Sequence, residues 1–80
     1  MTVTVRLFAS YADCLGKSAI DMELHDGATV DDVVSTLASL PGGDRLPPAP
    51  LVAVNHSYAR RGTIVNPGDE VAVIPPVAGG

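Results

Sequence analysis

Polar and apolar residues alternate along Thr2-Val3-Thr4-Val5-Arg6-Leu7, which predicts a half-buried strand with Val3, Val5 and Leu7 on one face and Thr4 and Arg6 on the other. Phe8 falls in the outward set, so a large aromatic ring is expected on the polar face where the strand ends. Ala9 to Leu15 reads as a short helix closed by Gly16, with Leu15 and either Cys14 or Tyr11 against the core. After a turn at Lys17-Ser18, Ile20, Met22 and Leu24 alternate with Asp21 and Glu23, the signature of a second half-buried strand.

The period then changes from two to 3.6. His25-Asp26-Gly27 is a turn, and Thr29 followed by Asp32 forms a capping box that opens a helix, with Asp31 and Asp32 at the positive end of its dipole. Val30, Val33, Val34, Leu37 and Leu40 make one buried stripe, and Pro41-Gly42-Gly43 ends it. Pro41 to Pro50 is too rich in Pro and Gly for regular structure. Leu51-Val52-Ala53-Val54 is a compact apolar strand before a turn at Asn55-His56-Ser57, and Tyr58-Ala59 pairs back weakly. Asn66-Pro67-Gly68-Asp69 is a tight turn with Pro at the second position and Gly at the third, leading into the last strand, Glu70-Val71-Ala72-Val73-Ile74.

The expected architecture is α+β, a mixed sheet grasping one main helix, with the first and last strands meeting mid-sheet. The domain is expected to span residues 1–74, with 75–80 an extended tail. In the last strand Val71 and Val73 point inward and Ile74 outward. If the first and last strands are parallel neighbours, Phe8 and Ile74 lie side by side as an exposed apolar patch, the usual mark of a protein contact.

Composition narrows the partners. The 80 residues are 46% hydrophobic and 18% charged, which predicts a single small soluble domain that buries only roughly 60% of its unfolded surface. The net charge of -4 offers no basic field for nucleic acid or an anionic membrane, and favours a basic protein surface as partner. One cysteine, Cys14, excludes an intramolecular disulfide and a multi-cysteine metal cluster, and fits a reducing cytoplasmic setting. No apolar run approaches the ~20 residues of a membrane span, and Met1 to Leu7 does not read as a signal peptide. His25 and His56 lie in turns without a second ligand at useful spacing, so no metal is expected.

The chemistry is expected in the tail, Pro75-Pro76-Val77-Ala78-Gly79-Gly80. Its prolines lack amide hydrogens and cannot extend the sheet, which predicts a polyproline-like arm. Gly79 and Gly80 have no Cβ and suit a channel too narrow for other side chains, at whose end a carboxylate is presented to another protein. An ionised carboxylate is a poor acyl electrophile until an oxygen becomes a leaving group, normally by adenylylation. The chain has no G-x-x-x-x-G-K-[ST] loop or other nucleotide cradle, so activation is expected from a partner.

Val5-Arg6-Leu7-Phe8-Ala9, Asn66-Pro67-Gly68-Asp69-Glu70-Val71 and the terminal Pro75-Pro76-Val77-Ala78-Gly79-Gly80 together resemble the small subunits of molybdopterin synthase, the MoaD branch of the MoaD/ThiS family of ubiquitin-like sulfur carriers. The resemblance implies a ubiquitin-like β-grasp fold and a non-catalytic subunit of a two-subunit sulfurtransferase. Gly80 would be adenylylated by a MoeB-like activating enzyme that uses ATP and Mg, and converted to a thiocarboxylate. Sulfur would then pass to cyclic pyranopterin monophosphate inside a MoaE-like large subunit, with no cofactor bound by this chain. The family's assembly implies a heterotetramer. Phe8, Tyr58 and Ile74 stand where the family places partner-contact residues, and Pro75, Pro76, Val77, Ala78 and Gly79 would thread the partner's channel. The Pro41 to Pro50 loop and Ala78, where Ser or Thr is common in relatives, depart from the pattern.

Other readings of these residues stand beside that one. Gly79-Gly80 also reads as a frayed end, and Phe8 and Ile74 as ordinary exposed surface. Cys14 reads as a small buried hydrophobe rather than a sulfur relay, and Arg60-Arg61 as a solvated hairpin edge rather than a partner contact. The alternatives in function are a carrier for thiamin thiazole or cysteine synthesis, a ubiquitin-like conjugation tag, and a plain β-grasp binding module. Lys17 is the only lysine, so side-chain-linked polymers of such a tag would have one branch point.

Overall fold

A computed structural model describes residues 1–46 and 50–75 of the chain. The first strand, β1 (Thr2–Leu7), alternates between faces as its period requires, with Val3, Val5 and Leu7 buried. Helix α1 (Ser10–Leu15) ends where Gly16 turns left-handed at φ 72° and its N–H donates to the Ala12 carbonyl at 2.8 Å. Of the candidates on this helix Tyr11 takes the core position and is the largest fully buried side chain, whereas Cys14 and Leu15 are half-buried. Strand β2 (Ala19–Glu23) returns antiparallel to β1, pairing Val3 with Met22 and Val5 with Ile20.

The main helix, α2 (Val30–Ser39), begins with the expected capping box: the Thr29 N–H donates to Asp32 Oδ2 at 2.8 Å, and the Asp32 N–H donates back to Thr29 Oγ1 at 3.4 Å. Val30, Val33 and Leu37 on its inner stripe are fully buried against the sheet, and each such side chain stabilises the fold by roughly 1.5–3 kcal/mol.

Strands β3 (Leu51–Val54) and β4 (Ser57–Tyr58) form a hairpin around Asn55 and His56, both at positive φ (50° and 72°), as a two-residue primed turn requires. Asn55 tolerates that conformation and is also tied down: its Nδ2 donates to Asp69 Oδ1 and its Oδ1 accepts from the Glu70 N–H, both at 3.0 Å. The Asn66–Asp69 turn has Gly68 at φ 82° and an Asp69 N–H donating to the Asn66 carbonyl at 3.1 Å, and it delivers the chain into β5 (Glu70–Ile74).

The sheet order is β2-β1-β5-β3-β4. Strands β1 and β5 are parallel neighbours at its centre, pairing Val5 with Val71 and Leu7 with Val73, and β3 runs antiparallel to β5. The inner face of this mixed sheet, Val3, Val5, Leu7, Val52, Val71 and Val73, packs with α2 into one core.

One expectation is corrected. The stretch from Pro41 to Pro50 was predicted to hold no regular structure, yet Gly43–Arg45 forms a turn of 3-10 helix. Gly42, at φ 88°, reverses the chain beneath the end of α2, and Gly43 packs so closely that a Cβ there would collide with the carbonyl oxygens of Leu37 and Ala38. These glycines bring the backbone into close contact as well as ending the helix.

Candidate functional site

The outer face of the sheet carries a groove of about 430 Å³. Its floor follows from the register: Tyr58 pairs with Ala53, Ala53 with Ala72, and Ala72 with Arg6, one row across four strands. The two alanines supply the low centre, because nothing extends beyond their Cβ atoms. Ile74 lies one strand step along from Ala72, and Phe8 follows directly after Leu7, the partner of Val73, so both reach the same end of the groove. Phe8 is 43% exposed and Tyr58 76% exposed, whereas Ile74 is half-buried. Arg6, His56 and Glu70 complete the lining, giving an apolar trough with a polar rim.

The parallel pairing of β1 and β5 thus brings Phe8 and Ile74 together, and the β3–β4 hairpin adds Tyr58 from the far edge. Pro75 leaves β5 next to Ile74 and is half-buried. Pro76, Val77, Ala78, Gly79 and Gly80 lie outside the described residues.

Arg6 and Glu70 were legible as outward positions of their strands but carried no functional signal, and His56 reaches the rim only because the hairpin turn presents it. Ile64, 57% exposed and bridged to Thr29 at the start of α2, was missed; it lies in a segment without periodicity. Arg61, read as part of a solvated hairpin edge, instead pairs with Asp31. Cys14 Sγ donates to the Arg45 carbonyl at 3.6 Å, a local packing contact between α1 and the 3-10 helix. His25 Nε2 lies 3.8 Å from Asp32 Oδ2.

Among the described residues two groups titrate away from their ordinary values. Burial raises the Tyr11 phenol, partly offset by the positive charge of Arg61. The Thr29 backbone N–H lowers the Asp32 carboxyl, helped by the Thr29 hydroxyl and His25 and opposed by desolvation. Both groups are accounted for by the core and the helix cap. Among the described residues no cluster of His, Cys, Asp or Glu is arranged to hold a metal ion, and no helix is long and apolar enough to cross a membrane.

Residues 5–80 match the model of the ThiS family. The chain belongs to that family. This ThiS-family chain is 34% identical over 83 residues to a molybdopterin synthase sulfur carrier subunit of Chlamydomonas reinhardtii, with all of both chains covered. It is 28% identical over 79 residues to the protein of the same description from Arabidopsis thaliana, covering 98% of this chain and 82% of that one. The crystal structure of SAMP1 from Haloferax volcanii superposes with a TM-score of 0.83 at 28% identity, again with both chains fully covered. The five-stranded mixed sheet around one main helix is a ubiquitin-like β-grasp, as expected for this MoaD/ThiS-type sequence.

Proposed function

We propose that this chain is the sulfur carrier subunit of a molybdopterin synthase. The observation that carries the reading is the 34% identity to such a subunit across the whole of both chains. In this reading the Gly80 carboxylate attacks the α-phosphorus of ATP, bound with Mg by a MoeB-like activating enzyme, and pyrophosphate leaves. A sulfur nucleophile then displaces AMP from the acyl carbon and leaves a thiocarboxylate. The thiocarboxylate donates its sulfur to cyclic pyranopterin monophosphate, which gains the dithiolene that later binds molybdenum, and the Gly80 terminus returns to a carboxylate.

The division of labour follows from the residues. The chain brings an acyl terminus and a docking face, and the catalytic side chains belong to a MoaE-like large subunit. Phe8, Tyr58 and Ile74 give that partner, and the activating enzyme, an apolar surface at the root of the tail. Pro75, Pro76, Val77, Ala78 and Gly79 thread the partner's channel and set Gly80 at its end. The reaction belongs in the cytoplasm, where thiols stay reduced.

A second reading, a ubiquitin-like tag joined to proteins through Gly80, is favoured by the likeness to the Haloferax volcanii modifier SAMP1. Mass spectrometry of the C-terminal peptide, from chain purified out of its own cells under reducing conditions, separates the two. Sulfur in place of one oxygen at Gly80 supports the carrier. A terminus that remains a carboxylate after incubation with ATP, a sulfur source and cell extract overturns it, and Gly80 found in amide linkage to other proteins establishes the tag.

A further inference from the structure

The chain contains two kinds of amine able to accept an acyl group: the α-amino group of Met1 and the side chain of Lys17, its only lysine. The fold treats them in opposite ways. The Met1 amino group donates to the Leu24 carbonyl at 2.7 Å and lies 3.9 Å from Glu23 Oε2, and the Met1 side chain is 4% exposed. Lys17 is exposed and, among the described residues, has no ion pair or side-chain hydrogen bond. It follows the left-handed Gly16 on the approach to β2, held there by the Leu7 N–H, which donates to the Ser18 carbonyl at 2.9 Å.

We propose that Lys17 is the acceptor for this chain's own activated terminus, so that the Gly80 acyl group forms an isopeptide bond there in competition with sulfur transfer. The Lys17 Nζ, in its unprotonated form, attacks the Gly80 acyl carbon of the adenylate. A C–N bond forms, the bond from that carbon to the phosphate oxygen breaks, AMP leaves, and the amine gives its extra proton to solvent. No oxidant or reductant is required.

The surroundings of Lys17 suit such a donor. With Leu15, Ile20, Leu40 and Pro41 it lines a recess of about 150 Å³, a mainly apolar surface for the Pro76-Val77 stretch of the incoming tail. The recess and the partner groove share no lining residue: Ile20 in the recess pairs with Val5 on the inner face of the sheet, whereas Phe8, Tyr58 and Ile74 line the groove on its outer face. A copy modified at Lys17 by the terminus of another copy therefore keeps its groove and its own tail. The donor is either a second copy or the same chain, since Ser18, Leu7 and Val73 lie in one row and the tail leaves β5 just beyond it.

This inference rests on the reading that Gly80 becomes an activated acyl group, and the test supplies that group by synthesis so the two fail separately. The full chain is prepared with a Gly80 alkyl thioester by thiolysis of an intein fusion and incubated near neutral pH. The products are mapped by intact mass and peptide fragmentation. The expected bond is at Lys17, as a dimer when a second copy donates or as a thiol-free monomer when the chain closes on itself. Lys17→Arg, an exposed substitution, is expected to abolish both. In concentrated urea the acyl group is expected to move to Met1, because α-amines are less protonated than lysines near neutral pH and only the fold withholds this one. Acylation of Met1 in the folded chain, hydrolysis alone, or an unchanged rate in Lys17→Arg would overturn the proposal.

Discussion

Arg61 and Asp31, thirty residues apart, are joined twice: the guanidinium donates to Asp31 Oδ1 at 2.7 Å, and the Asp31 N–H donates to the Arg61 carbonyl at 2.8 Å. The backbone bond is part of a larger arrangement. The Val30 N–H donates to the Thr63 carbonyl at 2.9 Å, so the loop after β4 supplies acceptors for amides at the start of α2 that have no partner within the helix.

Because the ion pair is largely exposed, Arg61→Ala is expected to cost less than about 1 kcal/mol. The backbone bonds survive the substitution. Urea denaturation checks this, and a loss of several kcal/mol would show that the side chain, rather than the loop backbone, holds the helix start.

Gly43→Ala is expected to destabilise by about 1–3 kcal/mol or more, because its Cβ would strike the Leu37 and Ala38 carbonyls. Gly27→Ala provides the contrast. At φ 83° but with open space around it, it should lose only the roughly 1–2 kcal/mol of a left-handed alanine. Equal urea midpoints for the two variants would contradict the close packing beneath α2.

Asp32 predicts a response to acid. Its carboxyl titrates below the ordinary 3.8, chiefly through the Thr29 N–H, so its contribution is fully present above the unfolded value and is lost as pH falls through the lower folded value. Between about pH 5 and pH 2 the stability of Asp32→Asn should therefore fall less steeply than that of the parent. Parallel curves would show that the capping carboxylate is not linked to folding.

Phe8→Ala is expected to weaken binding of a molybdopterin synthase large subunit by about 2 kcal/mol, near thirtyfold in Kd. Ile74→Asp, which buries an unpaired charge in the same contact, should weaken it further. Calorimetry with the purified large subunit measures both, with circular dichroism confirming that each variant is folded. Unchanged affinity would place the contact elsewhere.

Deleting Gly80 is expected to abolish sulfur transfer while leaving the thermal unfolding transition in place, because the described core lies within residues 1–74. A truncated chain that still transfers sulfur in a reconstituted assay would remove the tail from the chemistry.

Local periods made much of this readable from sequence. Alternation assigns the inner faces of β1, β2 and β5, Thr29 and Asp32 mark the start of α2, and Pro67-Gly68 specifies its turn, since each depends on neighbours within four residues. The outward positions of Phe8 and Ile74 came from the same alternation, and their adjacency only required that the two terminal strands run parallel. Tyr58 entered by family resemblance, because a two-residue strand has no period of its own.

Tertiary structure decided the rest, because it depends on contacts between residues distant in the chain. Nothing near Gly43 in sequence shows that the end of α2 will pass close enough to exclude a Cβ, so a segment that reads as a breaker forms a turn of 3-10 helix. Nothing near Arg61 identifies Asp31 as its partner, and nothing near Met1 shows that Leu24 will hold its amine while Lys17 has no ion pair among the described residues. The alternating residues determined which side chains face outward. Strand pairing determined that those of four strands form one groove.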